Sequence, residues 1–428
     1  MIDLTVLEGA LILSSNFLTR YWYLALLFIG GSLALATWGN YQFSNGNTGG
    51  KEFLIYWAGT RALLIDGKSP YSEEVAEAIQ TLAYGRPARA GEYEYRASFP
   101  LYTTFFFLPL SLIEDYAIAR AIWMTILEVG ILLLTWLTLV LTRWRINSWV
   151  LPLILIFALC WYYGIRPIVD GNMAILIAVT ITGALVALRS GRDELAGILL
   201  GISTAKPSLV VISMLFILLW TASHRKWRAI QWFAITVGLL SVVAALFVPD
   251  WPIQNLREIL LFSTDTHLGT PGSVLAAWFP AAGNRLGLVL SGILGVILIF
   301  EWLIALRREF RWFTWTVCLT LAASQWIGIQ TEPGNFIILL TPLILVFSVW
   351  EERWGRSGQI LVGLSLILFF AGPLALLWDT YADQTLWHPI MFISLPLFLF
   401  FGLYWTRWWA IHSPRLLIQD LHAFEDRS

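Results

Sequence analysis

Apolar runs of about 20 residues, the length a helix needs to cross a bilayer, recur along almost the whole chain. They fall near residues 21–39, 116–141, 149–165, 172–188, 229–248, 285–305, 312–329, 335–350, 358–378 and 388–408. Residues 1–19 are apolar but carry Asp3 and Glu8, which predicts a short interfacial helix rather than a span. Two apolar segments break the pattern. Residues 99–113 are short and hold Pro100 and Pro109, and residues 195–220 are interrupted by Lys206-Pro207. Polar positions collect in two intervals, 40–98 and 249–284. In the first, residues 52–64 read as a nearly all-apolar helix lying along the membrane surface and stopping at Gly67. Ser72, followed by Glu73 and Glu74, reads as the capped start of another. In the second, Trp251-Pro252 opens an interfacial helix over 253–263, and a polar loop follows from Ser263 to Gly272.

Composition agrees with this pattern. Hydrophobic residues make up 58% of the 428 and charged residues 13%, against about 25% charged in a soluble globular domain. The chain therefore reads as an all-α polytopic membrane protein, a single transmembrane domain over residues 1–428 with about ten to twelve spans. Many of its 24 tryptophans flank spans, as Trp22, Trp149, Trp161, Trp227, Trp251, Trp378 and Trp405 do. A net charge of −1 gives no basic surface for nucleic acid. Cys160 and Cys318 lie in apolar stretches, so no structural disulfide is expected, and the N-terminus does not read as a cleaved signal peptide.

Basic clusters orient the spans. Arg143/Arg145, Arg189/Arg192, Arg225/Lys226/Arg228, Arg307/Arg308/Arg311, Arg353/Arg356 and Arg407/Arg415 mark cytoplasmic ends. All of them fall on one side if 99–113 and 195–220 each dip into the membrane and return; the alternative has both segments crossing fully. Broken helices at membrane depth need a protein-enclosed or wet cavity. In the dipping arrangement residues 40–98 and 249–284 are outer loops. Glu52, Arg166, Asp170, Asn172, His267, Glu332 and Asn335 then gather on the outer face, with Lys206 pointing the same way. Charges held within spans are costly and read as functional.

Glu52 shares a helix face with Tyr56 and Thr60, and Arg61 follows on the same helix. A carboxylate there can act as a general base on an acceptor hydroxyl, or simply stabilise its own helix as a first-turn acid. Lys206, at a helix break, suits the phosphate of a lipid as a point charge, or an interface it reaches by snorkelling. Arg166 and Asp170 stand four apart, placed either to pair with each other or to meet a substrate. Glu332 and Asn335 lie in a tight polar turn, and His267 lies in the second outer loop. Tyr56, Arg61, Asp170, Asn172, His267, Glu332 and Asn335 are the substrate-binding candidates. No metal-ligand spacing and no phosphate-cradling glycine loop is found, so neither a metal nor another cofactor is expected. Glu92-Tyr93-Glu94 is the nearest approach to a metal diad, and a solvated acidic turn explains it equally well.

Several pieces, in order, resemble glycosyltransferase family 87 of the GT-C superfamily. They are Glu52 to Tyr56 with Gly67 to Tyr71, then Phe99-Pro100-Leu101 with Pro109-Leu110, then Asp170-Gly171-Asn172, then Ala196 to Gly201 with Lys206-Pro207. Together they cover residues 50–220. The family's usual aspartate is Glu52 here, the second proline of the opening motif is Leu101, and no glutamine precedes Asn172. The resemblance implies a GT-C fold and a membrane hexosyltransferase with Glu52 as catalytic base. The donor would be a polyprenyl-phosphate-linked hexose, mannose above all, with inversion at the sugar carbon. Lys206 and Arg166 would meet the donor phosphate. The other partners would be a lipid or glycan acceptor and membrane lipids, with the site on the outward face of a bacterial inner membrane. A transporter or flippase of lipid-linked sugars, or a non-catalytic subunit of a membrane complex, is the alternative.

Overall fold

The computed structural model describes residues 4–47, 49–89, 91–144, 146, 150–262, 269–327, 331–380 and 389–412. Among these residues the chain is helical throughout, and the only β pairing is an isolated bridge between Gly269 and Thr331. The helices are α1 (Leu4–Gly46), α2 (Lys51–Ile65), α3 (Glu73–Tyr84), a 3-10 turn (Leu101–Phe107) running into α4 (Leu108–Ser111), α5 (Tyr116–Thr142), α6 (Val150–Cys160), α7 (Tyr162–Asp170), α8 (Ala174–Arg189) and α9 (Asp193–Ser203). They continue as α10 (Pro207–Ser223), α11 (Trp227–Phe247), α12 (Trp251–Phe262), α13 (Pro271–Ala276), α14 (Gly283–Ala305) and α15 (Phe310–Ser324). A 3-10 turn (Pro333–Leu339) then leads into α16 (Leu340–Trp354), followed by α17 (Arg356–Thr380) and α18 (Pro389–Ile411).

Every expected span coincides with a helix, but the spans are uneven. Among the described residues, six helices are long and apolar enough to cross a membrane, or seven if α6 and α7, bent by 46°, count as one span. The apolar helices α8 and α10 have only 16 and 17 residues, about 24–26 Å of rise against a hydrocarbon core of about 30 Å. The N-terminal segment also differs from expectation. No break separates residues 4–19 from the first span, and α1 runs unbroken for 43 residues.

The basic helix ends meet at one end of the bundle. Trp144 donates to Glu351 (2.6 Å), Arg189 reaches the Leu141 carbonyl, Lys226 pairs with Asp193 (2.7 Å) and Ser223 bonds the Leu306 carbonyl. Arg311 donates to the Ala410 carbonyl and Arg407 pairs with Glu301 at 2.7 Å.

Both irregular segments enter the bundle and return. The Lys226–Asp193 pair joins the residues just after α10 to the start of α9, so the chain from 193 to 226 doubles back on itself. Helix α9 packs along α11, with Gly197 against Ala229 and Phe233, and Gly201 against Thr236. Its rise is about 16 Å from 11 residues. The break at 204–206 therefore lies part-way through the bundle, where Pro207, as the first residue of α10, needs no backbone donor. Both ends of segment 99–113 are tied to the first polar interval. Tyr71 donates to the Phe99 carbonyl (2.7 Å) and Trp57 to the Ile113 carbonyl (3.2 Å).

Helix α2 does not lie on a surface. Phe53 to Trp57 are all buried, because a helix that is apolar all round needs cover on every side. That cover comes from the 3-10 turn, α3 and α4. Helix α3 starts as expected, with the Ser72 hydroxyl accepting from the Val75 N–H and Gly85 closing its other end at φ +72°. Helix α12 turns Ile253, Leu256 and Leu260 outward, as an interfacial helix would.

The start of α2 and the α7–α8 turn are gripped together by one face of α5. The Arg120 guanidinium donates to the Asn47 carbonyl (2.7 Å) and the Val169 carbonyl (2.9 Å). Trp123 donates to the Gly171 carbonyl at 2.9 Å, and the Tyr116 hydroxyl donates to Gly49 at 2.8 Å. Gly171 holds φ +68°, and a Cβ there would stand 2.4 Å from the Phe53 Cβ. Gly171→Ala is therefore expected to cost about 1–3 kcal/mol, through overpacking and a left-handed backbone. Gly67, at φ +64° with nothing within 4 Å, is the control that suffers the backbone term alone. Thermal unfolding in detergent should show the larger fall in midpoint for Gly171→Ala; equal falls would contradict this packing.

Candidate active site

Three chain segments far apart in sequence converge on one ammonium group. Lys206, at the α9–α10 break, donates to both Glu52 carboxylate oxygens at 3.0 and 2.9 Å and to Asn172 Oδ1 at 2.9 Å. Glu52 occupies the first turn of α2, and Asn172 the turn between α7 and α8. The Lys206 and Glu52 side chains are only 14% and 13% exposed. Side-chain bonds to backbone carbonyls fix the break itself: the Thr103 hydroxyl donates to the Ala205 carbonyl (2.9 Å), and Tyr102 to the Thr204 carbonyl (3.2 Å).

Asn172 carries the network onward. Its Oδ1 also accepts from the Ala174 N–H at 2.7 Å, and its Nδ2 donates to Asn335 Oδ1 at 3.0 Å. Asn335 in turn donates to Thr331 Oγ1 at 3.1 Å. Glu332, between those two, lies close enough to Glu52 for each to shift the other's acidity. Arg166 pairs with Asp170 at 2.5 Å. A small cleft opens beside this cluster, lined by Tyr162, Arg166, Gly269, Glu332, Pro333, Gly334 and Phe392. The Gly269–Thr331 bridge, with bonds of 2.9 and 3.0 Å, joins its two rims.

Electrostatics separates the two facing acids. Burial is the main reason the Glu52 carboxyl is pushed up to about 8; the neighbouring Glu332 adds to the rise and Lys206 opposes it. Burial pushes Glu332 up too. The hydrogen bond from Glu52 and the charges of Lys206, Lys51 and Arg166 outweigh it, leaving Glu332 below the usual carboxylate range. Tyr56, buried beside both acids, is raised well above an ordinary phenol, first by burial, and its ring stacks on Phe107 at 4.5 Å.

The structure therefore gathers Glu52, Tyr56, Arg166, Asp170, Asn172, Lys206, Glu332 and Asn335. Arg61 is not among them: it is nine residues along α2, bonded to the Ser111 carbonyl at 2.7 Å and lying over the Trp57 ring. His267 lies outside the described residues. In the acidic turn, Glu92 pairs with Arg86 at 2.7 Å and Glu94 with Arg96 at 2.6 Å. Among the described residues no group of three or more His, Cys, Asp or Glu side chains could hold a metal ion.

Sequence reasoning missed Tyr162 and Phe392 in the cleft, Tyr102 and Thr103 behind the break, and Arg120 behind α2. Arg120 left a signal, since a buried arginine near the start of an apolar helix is costly enough to demand a reason. The hydroxyl and ring residues left none, because such residues recur throughout the spans.

The profile of glycosyltransferase family 87 matches residues 98–325, more than half of the chain. Arg166, Asp170, Asn172 and Lys206 fall within the match, and Glu52 and Glu332 fall outside it. Searches of the curated proteins and of the solved structures returned no match. The spans, the buried charge cluster and the matched profile agree: the chain belongs to glycosyltransferase family 87 and is a multi-pass membrane glycosyltransferase.

Proposed function

We propose that the enzyme moves a hexose, with mannose the expected sugar, from a polyprenyl-phosphate donor to a hydroxyl of a lipid or glycan acceptor. Transfer takes place on the face opposite the basic helix ends, the outward face of a bacterial inner membrane. The observation that carries this reading is a carboxylate and an ammonium, Glu52 and Lys206, held 2.9 Å apart beside a cleft. A base and an anion-binding cation are the two groups that transfer from a sugar phosphate requires.

The Glu52 carboxylate takes the acceptor's hydroxyl proton as that oxygen attacks the sugar carbon. The bond from that carbon to the phosphate oxygen breaks, and its electron pair leaves with the phosphate. Attack comes from the side opposite the leaving group, so the configuration inverts. The donor's singly charged phosphodiester departs as a doubly charged monoester, and Lys206 meets the added charge. Arg166, on the cleft wall, is a second cation for the phosphate, Tyr162, Glu332 and Phe392 border the space for sugar, and Asn335 supports it through Asn172.

The test is transfer of labelled hexose from a synthetic lipid-phosphate-hexose. Glu52→Gln should lower the rate about 10²–10⁴-fold, the worth of a general base, with the protein still folded; full activity in this variant would end the proposal.

Acidity gives a second test. The base works deprotonated, so kcat/KM should fall as pH drops through about 8, where Glu52 gains its proton. Glu332→Gln removes a neighbour that raises the Glu52 carboxyl, so this limb should move to lower pH. Lys206→Met removes a neighbour that lowers it, so in that variant's residual activity the limb should move to higher pH. Limbs that stay in place in both variants would show that another group titrates.

A further inference from the structure

Resting on that reading, we propose that Asn172 is a positioning residue that keeps Lys206 within reach of both Glu52 and the leaving phosphate, so that one cation serves the base first and the leaving group afterwards.

Transfer moves negative charge from the base to the leaving group. Before transfer, the Glu52 carboxylate and the donor phosphodiester each carry one negative charge. After transfer, Glu52 holds the acceptor's proton and is neutral, and the released phosphate monoester carries both charges. A cation fixed to Glu52 alone would stabilise the starting state and oppose proton uptake. A cation that passes from carboxylate to phosphate stabilises the direction of reaction. Such a cation needs a partner whose charge does not change while Glu52 loses its own.

Asn172 is built to be that partner. Its Oδ1 accepts from Lys206 Nζ at 2.9 Å and from the Ala174 N–H at 2.7 Å. Both of those groups only donate, so the amide oxygen must face them. The amide nitrogen donates to Asn335 Oδ1 at 3.0 Å, and Asn335 is held by Thr331 at 3.1 Å. The side chain is fully buried. Lys206 itself hangs from backbone that Tyr102 and Thr103 pin, so its flexible stem is the part left to move. A neutral acceptor holds the ammonium at this point without competing for its full charge, which a carboxylate at 172 would do.

The experiment compares wild type and Asn172→Asp on two lipid-phosphate-hexose donors. One is unmodified. The other carries fluorines on the lipid carbon next to the phosphate, which makes the phosphate a better leaving group with less need of a cation. Asn172→Asp should lower kcat with the ordinary donor about ten- to a hundredfold, because a charged acceptor at 172 holds the ammonium more tightly, by about the difference between a charged and a neutral hydrogen-bond partner. The acceptor KM should hold near the wild-type value, and the loss should shrink with the fluorinated donor. Equal losses on both donors, or a change confined to KM, would overturn the inference. Should Asn172→Asp fail to fold, Asn172→Ser still offers an oxygen to the Ala174 N–H, and the same donor-dependent loss is expected of it. If Glu52→Gln is inactive while the Asn172 variants lose equally on both donors, the base stands and the role of Asn172 falls. No transfer by the wild type would remove the underlying reading and this inference with it.

Discussion

A nearly buried ammonium must find oxygen atoms, and Lys206 finds three, two from Glu52 and one from Asn172. Removing one partner of a buried charge pair costs about 3–5 kcal/mol, because the other charge is left without compensation. Three segments that share no local sequence are thereby fixed relative to one another: the start of α2, the α7–α8 turn and the α9–α10 break. The rest of this end of the bundle serves that convergence. Arg120 and Trp123 hold the backbone on either side of it, and Gly171 lets the turn close against Phe53. Proline at 207 frees the chain to break where the ammonium is needed.

The same constraint shapes the chemistry. Three acids and three cations (Glu52, Asp170 and Glu332 with Lys51, Arg166 and Lys206) act on one another in a poorly solvated pocket. Charges there are felt more strongly than in water. Glu332 settles below the usual range and Glu52 well above it. Environments that push two like groups apart are how one site obtains a base with high proton affinity and a neighbour that stays ionised. Glu52 is the one of the pair bonded to the cation at the α9–α10 break, which suits it to proton transfer next to a phosphate.

Much of this was legible in the sequence, because membrane constraints act locally. Runs of apolar residues announced the helices, the basic clusters announced their common end, and Lys206-Pro207 announced the break. Placement on one face of the bundle made Glu52, Arg166, Asp170, Asn172, His267, Glu332, Asn335 and Lys206 candidates from the sequence. Pairing was not legible. Glu52 and Lys206 are 154 residues apart, and nothing in either neighbourhood names the other. An all-apolar helix beside a polar stretch looks the same whether a bilayer or other helices cover it, so the helices packed over α2 could not be read from its sequence. Arg61 was drawn in by its place on α2, yet it faces the Ser111 carbonyl. The unbroken run of α1 was missed because Asp3 and Glu8 marked residues 1–19 as interfacial, while no glycine or proline between Gly9 and Gly30 stops the helix.

In the proposed reaction Lys206 exchanges its carboxylate partner for a phosphate when donor binds and reacts. The most direct measurement is an experimental structure of the protein in a lipid nanodisc with a non-transferable lipid-phosphate-hexose analogue. The account predicts the phosphate within hydrogen-bond distance of Lys206 Nζ, the ammonium still on Asn172, and the Glu52 carboxylate facing the sugar from the side opposite the phosphate. A lipid phosphate bound elsewhere, with Lys206 still closed on Glu52, would contradict it.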